Sequence, residues 1–132
     1  EEKRPQKTRS PSTIHETQDS FDRLMTAIIV EKANGKILSV EASGHTGYAE
    51  SGEDIVCAAL SAIIQTAALG LTEVAKIAAT IDRNDEDGYF RLTLPSLGEE
   101  KRHEADLILE TALCGITDIA KSYPDFIKLE VK

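Results

Sequence analysis

The sequence TAIIVEKANGKILSVEAS, residues 26–43, places two runs rich in β-branched and other apolar residues on either side of Asn34-Gly35. Asn-Gly is the dipeptide that most favours the type I′ turn, whose twist matches that of two paired antiparallel strands. The stretch therefore predicts a β-hairpin with strands over 26–32 and 36–43.

A helix is predicted to follow this hairpin. The sequence DIVCAALSAIIQTAALG, residues 54–70, is apolar on nearly every side, and it ends in Gly70, a residue type that commonly terminates helices. Because a helix that is apolar on most faces is normally buried, we expect a buried helix over 54–69. A loop over 44–53 would join it to the hairpin.

A second hairpin is predicted in the middle of the chain. The runs KIAATID (76–82) and YFRLTL (89–94) flank an acidic turn that ends in Asp87-Gly88. Residues 82–88 also resemble a calcium-binding loop, but Asp87 stands where such a loop needs glycine, and the closing glutamate is missing. A solvated hairpin turn is the better interpretation, and we expect no metal site.

A second helix and a final strand complete the predicted fold. Residues 100–122 have the spacing of an amphipathic helix, which Pro124 would stop, and residues 126–132 alternate like a strand. The apolar stripe of this helix comprises Leu107, Ile108, Thr111, Ala112, Gly115 and Ile119. The order β-β-α-β-β-α-β predicts an α+β fold, with a largely antiparallel sheet packed with two helices.

Residues 1–24, which precede the first predicted strand, are polar, contain two prolines and show no sustained periodicity. We interpret them as a flexible leader or an appended extension. Met25, the only methionine in the chain, is a plausible native start, so the folded domain is expected to span 25–132. His15 lies in the leader and has no assigned role.

The net charge of −8 belongs entirely to the predicted domain. Residues 1–24 hold five acidic and five basic residues, whereas residues 25–132 hold 18 acidic and 10 basic residues. Direct nucleic-acid binding is not expected, because phosphate contacts require clustered lysine and arginine. An acidic surface suits a basic protein or peptide partner, although a role in solubility alone explains the same charge.

The sequence also restricts the compartment. It contains no uninterrupted apolar run of about 18 residues and no apolar stretch at its N-terminus, so neither a membrane span nor a secretory signal is predicted. Its two cysteines, Cys57 and Cys114, lack the number and spacing of a disulfide framework. We therefore expect a cytoplasmic protein.

Cys57 and His45 are the candidates for chemistry. If Asp54 caps the predicted helix, Cys57 lies in the first helical turn, where unpaired N–H groups and the helix dipole favour a thiolate. The preceding loop could bring the imidazole of His45 to the same place. From spacing alone, a buried structural cysteine and a solvated loop histidine are the more usual interpretation. Zinc is disfavoured, because only two suitable ligands cluster there.

Two other polar side chains have structural interpretations. Cys114, which stands beside Gly115 inside the second predicted helix, is expected to be a buried packing residue. His103 and the acidic residues around it are expected to form a solvated first turn of that helix.

The stretch from Gly44 to Ala62 carries a more specific signal. It reads Gly44-His45, six residues, Gly52, one residue, Asp54-Ile55-Val56-Cys57-Ala58-Ala59, one residue, Ser61-Ala62. This pattern resembles the signature of the ribosomal-processing cysteine protease family, Prp. The resemblance extends over 25–132 and does not cover 1–24. Thr46, which stands where the family usually has alanine, is a small departure from the pattern.

The resemblance implies a cytoplasmic, homodimeric cysteine endopeptidase, for which we expect no cofactor. Members of the family remove an N-terminal extension from large-subunit ribosomal protein twenty-seven, cutting beside an aromatic pair, during ribosome maturation. Carried over by position, Cys57 is the nucleophile, and His45 is the general base and then the acid for the leaving amine. The alternative is a non-catalytic dimeric module that binds a ribosomal protein during assembly and in which Cys57 is only packed.

Four residues around this pair are expected to support it. Gly44 and Gly52 would let the loop open for an extended peptide, although turn formation alone explains them as well. Asp54 would cap the helix that carries Cys57, and backbone N–H groups at that helix start would stabilise an oxyanion. Ser61, one turn after Cys57, would contact the helix backbone, the histidine or the substrate.

Overall fold

A computed structural model describes residues 26–44, 51–84 and 88–132. These residues follow the predicted order β-β-α-β-β-α-β, whereas the predicted leader over 1–24 lies outside the described residues. The strands are β1 (Thr26–Ala33), β2 (Lys36–Ser43), β3 (Thr80–Asn84), β4 (Tyr89–Thr93) and β5 (Ile127–Val131), and the helices are α1 (Ser51–Leu69) and α2 (Glu99–Ser122).

The first hairpin adopts the predicted turn. Asn34 and Gly35 have positive φ angles of 54° and 78°, which is the backbone geometry of a type I′ turn. β1 and β2 pair antiparallel, and their register shifts between Glu31 and Lys32.

The five strands form a mixed sheet in the order β3-β4-β2-β1-β5. Its pairings are antiparallel except at β5, which runs parallel to β1 along one edge. The chain passes through α2 before it returns as β5, and a parallel pairing needs such a crossover. The α+β fold with a largely antiparallel sheet is therefore confirmed.

The core lies between the two helices and one face of the sheet. Ile28 and Leu92 from the sheet, Leu60 from α1 and Leu109 from α2 are each at most 2% exposed. Burying a side chain of this size contributes about 1.5–3 kcal/mol. Polar contacts also hold the start of α2, where the guanidinium of Arg102 donates to the Ile37 carbonyl at 2.8 Å.

α1 begins earlier than predicted. It starts at Ser51, so Asp54 is not its cap, and Cys57 is its seventh residue and lies in the second turn. The stretch before Asp54 contains no proline, so its backbone can continue the helix back to Ser51. The helix ends at Leu69 as predicted, and a π-helical turn, Gly70–Val74, follows it.

α1 is also less buried than predicted. Val56 and Leu60 lie in the core, but Ile55 is 69% exposed and Leu69 is 59% exposed. A helix that lies on one side of a sheet contacts the sheet with only one of its faces. The stretch Ile55–Val74 is long and apolar enough to cross a membrane by length and composition, a test that core helices of soluble proteins also pass.

The prediction for α2 was correct in extent, and only part of its predicted apolar stripe packs against the core. Ala105, Leu109 and Ile116 are the buried residues, whereas Leu107 in the predicted stripe is 58% exposed. Cys114 is exposed, so the prediction of a buried cysteine was wrong. The helix has two apolar faces, and only one of them meets the sheet. His103 is exposed, as predicted.

β3 begins at Thr80 rather than at residue 76. Lys76 has a positive φ of 58°, a left-handed backbone conformation that interrupts an extended strand. β3 and β4 pair antiparallel as the predicted hairpin. Asp87 and the acidic turn of the calcium-like pattern lie outside the described residues.

Candidate functional site

Cys57 lies in a cleft between α1 and one end of the sheet. The cleft has a volume of about 310 Å³, and α1 lines it with Cys57, Ala58, Ser61 and Gln65. These positions share one face of the helix, because their spacing follows the helical period of 3.6 residues. The adjacent face of α1 is anchored in the core, so the core positions Cys57 at the cleft.

The opposite wall of the cleft is a row of side chains across the sheet. Ile28 pairs with Ala42, Ala42 with Phe90, and Phe90 with Arg83, so the row crosses four strands. Ala42, Phe90 and Arg83 line the cleft. The guanidinium carbon of Arg83 lies 6.0 Å from the centre of the Phe90 ring, within the range of a cation–π contact.

The Cys57 thiol is half-buried and contacts the first residue of β1. Its Sγ lies 3.8 Å from the Oγ1 of Thr26, and Thr26 is itself buried. A hydroxyl can donate to a thiolate, so Thr26 is placed to favour the ionised form of Cys57. Thr26 was not predicted as a site residue from the sequence. Its alternation with Ile28 and Val30 could have placed the hydroxyl on the helix side of the sheet.

The structure brings Ser61 and the start of the predicted loop to the same cleft. Ser61 lines the cleft one turn after Cys57, and Ser43, the last residue of β2, lines it from the sheet. Gly44 follows with a φ of 101°, a left-handed conformation that favours glycine. His45 lies outside the described residues, so its pairing with Cys57 stays a prediction.

The later position of Cys57 in α1 changes the electrostatic argument. The N–H groups of the first helical residues lack intrahelical partners, and here these are residues 51–53, which include Gly52. The dipole effect falls off within the first turn, so it favours a Cys57 thiolate less than predicted. Activation of the thiol would then depend more on a neighbouring cation and on the Thr26 hydroxyl. The oxyanion role of the N–H groups at the helix start stays a prediction, and the earlier start moves those groups about three residues farther from Cys57.

Arg83 and Phe90 are cleft residues that the sequence analysis did not identify. Their separation in sequence is short, and the second predicted hairpin already brings their strands together. The missing information was the register, because a slip of one residue moves a side chain to the other face of the sheet. Cross-strand pairing of Arg83 with Phe90 settles that register.

Comparison with known proteins identifies similar chains over the same residues. Residues 25–128 match the model of the family described as cysteine protease Prp. The ribosomal processing cysteine protease Prp of Bacillus subtilis (strain 168) is 31% identical over 107 residues, which are 80% of this chain and 96% of that protein.

Two solved structures of a Staphylococcus aureus protein have the same fold. Both are crystal structures of an essential ribosomal processing protease Prp, one with a substrate peptide and one with a covalently linked product peptide. Their TM-scores are 0.73 and 0.71, at 28% identity, and each comparison covers 82% of this chain and 100% of the other.

Proposed function

Because this chain belongs to the cysteine protease Prp family and is a cysteine protease, we propose that it removes the N-terminal extension of large-subunit ribosomal protein twenty-seven during ribosome maturation. The observation that carries this proposal is the position of Cys57, at the family motif and in a cleft open to a peptide. The relatives named for ribosomal processing support the choice of substrate. The family resemblance also leads us to propose that the protein is cytoplasmic.

The proposed chemistry uses Cys57 and His45. The imidazole of His45 accepts the thiol proton, and the thiolate attacks the carbonyl carbon of the scissile peptide bond. The resulting oxyanion accepts hydrogen bonds from backbone N–H groups. As the C–N bond breaks, His45 donates the proton to the leaving amine, and a thioester on Cys57 remains. Water then hydrolyses the thioester, with His45 again as the base.

The cleft suits a peptide in extended form. One wall is the Cys57 face of α1, and the other consists of strand residues at the end of the sheet that Ser43 and Gly88 border. A basic ribosomal protein would be attracted to a chain with a net charge of −8. We therefore expect the rate of cleavage to fall as salt rises, because salt screens the attraction.

Mass measurement of the product tests this function directly. The purified chain is incubated with extended ribosomal protein twenty-seven, and we expect a single cut that releases the N-terminal extension. Cys57→Ala should leave the substrate intact, because the nucleophile is gone. Cys114→Ser is the matched control, since it removes an exposed cysteine outside the cleft, and it should cleave at the normal rate.

The possible results separate the two candidate functions. Uncut substrate with the wild-type chain would contradict the assigned substrate. Equal cleavage by Cys57→Ala would contradict the assigned nucleophile. A non-catalytic binding module predicts that the substrate binds without being cut, which the same samples reveal by co-elution of enzyme and intact substrate.

We also propose that the protein is a homodimer. An apolar groove with a volume of about 680 Å³ runs between α1 and α2 on the side away from the Cys57 cleft. Small residues such as Ala62, Gly70 and Gly115 line it, with Leu107 and Ile108. An exposed apolar groove is a kind of surface through which proteins associate, and its small residues allow a second helix to approach closely. A second copy of the chain is the occupant that the family resemblance favours.

A further inference from the structure

We propose that Gln65 is a substrate-binding residue, whose carboxamide hydrogen-bonds to the backbone of the substrate about three to four residues from the scissile bond. This inference rests on the proposed proteolytic function and adds a contact that holds the peptide in the cleft. It concerns the part of the cleft that lies along α1 beyond Cys57.

The two walls of the cleft have backbone groups that are already paired. Residues 57–65 lie in the middle of α1, where each N–H group bonds to a carbonyl four residues earlier in the helix. The opposite wall includes Ala42 on β2 and Phe90 on β4, and each of these strands has a paired neighbour on both sides. Because a buried peptide group without a hydrogen-bond partner is costly, a bound substrate needs polar side chains or water on these walls.

Gln65 has the chemistry that a peptide backbone requires. Cys57, Ser61 and Gln65 follow one another at intervals of four residues on the cleft face of α1. Gln65 is exposed, and among the residues that the structure describes none bonds to its carboxamide. A carboxamide has two N–H donors and a carbonyl acceptor. It can therefore accept from one backbone N–H of the substrate and donate to a backbone carbonyl, as a neighbouring strand does.

The helix sets the position in the peptide that Gln65 would contact. Gln65 follows Cys57 by eight residues, and a rise of about 1.5 Å per residue separates them by about 12 Å along α1. An extended peptide advances about 3.3 Å per residue, so this distance corresponds to about three to four residues. A substrate that is shorter than this on the side of Gln65 would not reach the carboxamide.

Ester-substituted peptides test the contact. The peptides span the processing site of ribosomal protein twenty-seven, and in each one a single backbone N–H, about three to five residues from the scissile bond on either side, is replaced by an ester oxygen. At one of these positions we expect the ester to lower kcat/KM of the wild-type chain about fivefold, because a hydrogen bond to Gln65 is lost. Gln65→Met keeps the length of the side chain without its hydrogen-bonding atoms. This variant should reduce the effect of that ester to within about twofold.

A matched variant and a shortened peptide complete the experiment. Thr66→Val also removes a hydrogen-bonding group from an exposed residue of α1, but Thr66 lines the α1–α2 groove, so the ester effect should persist. On a peptide that ends before the sensitive position, the wild-type chain and Gln65→Met should have equal kcat/KM. Absence of an ester effect at every position, an ester effect that survives Gln65→Met, or an equal loss by Gln65→Met on the shortened peptide would overturn the contact. Failure of the wild-type chain to cut any peptide would instead contradict the proposed function.

Discussion

The Cys57 cleft and the α1–α2 groove are built on the same helix and differ in nearly everything else. The cleft joins one face of α1 to the sheet and contains the thiol, hydroxyls and a guanidinium, whereas the groove joins another face of α1 to α2 and is almost wholly apolar. A third face, with Val56 and Leu60, is buried in the core. One apolar helix can therefore serve chemistry, association and stability, provided that these functions occupy different faces.

Substitution of the predicted base is the strongest test of the cleft. We expect His45→Gln to lower kcat/KM by about 10³-fold, because a general base typically contributes 10²–10⁴-fold. We expect the fold and the oligomeric state to stay unchanged, so that the loss of activity reports on the chemistry alone. Peptide cleavage is measured together with the circular dichroism spectrum and the molar mass. Unchanged cleavage would remove His45 from the mechanism.

The core face of α1 should determine stability. Leu60 is 1% exposed, so Leu60→Ala should lower the free energy of unfolding by about 3 kcal/mol through lost burial and a residual cavity. Ile55→Ala is the matched control, because Ile55 is 69% exposed, and its effect should stay within about 0.5 kcal/mol. Urea denaturation measures both variants. Equal losses would mean that Ile55 is covered by a partner in solution.

The groove face should determine association. Leu107→Glu places a charge at the rim of the groove, and we expect the dissociation constant of the dimer to rise about 100-fold, since burying an unpaired charge is costly. Val74→Glu makes the same change at a residue that is 79% exposed and lies outside the groove lining, so it should leave the dimer intact. Sedimentation equilibrium gives both constants. A dimer that survives Leu107→Glu would place the interface elsewhere.

The Thr26 hydroxyl should have the smallest effect. Thr26→Val removes the group that lies 3.8 Å from the Cys57 sulfur, so we expect a drop of a few-fold in kcat/KM. Loss of a donor to the thiolate should also raise, by a few tenths of a pH unit, the pH at which Cys57 is half-maximally alkylated. The Cys114→Ser background leaves Cys57 as the only cysteine for iodoacetamide. Thr26→Ser keeps the hydroxyl, so its kcat/KM and its pH of half-maximal alkylation should stay near those of the wild-type chain. Values like those of Thr26→Val would indicate a packing role for Thr26.

Local sequence signals predicted the elements of the fold well. The Asn34-Gly35 turn and the end of α1 before Gly70 are both present, because each depends on backbone preferences of the residues themselves. The start of α1 was not predicted, since helix N-termini depend on small differences among several possible caps. The fully buried residues of α2 were not predicted either, because that helix has two apolar faces.

The sequence by itself determined the order of the elements, the hairpin turns and the Cys57 motif, since these follow from neighbours along the chain. Only the tertiary structure decided which residues meet across the cleft. Thr26, Cys57 and Arg83 are far apart in sequence, and strand register and helix packing bring them to one surface. Those arrangements depend on how the whole core closes, so patterns within single segments do not contain them.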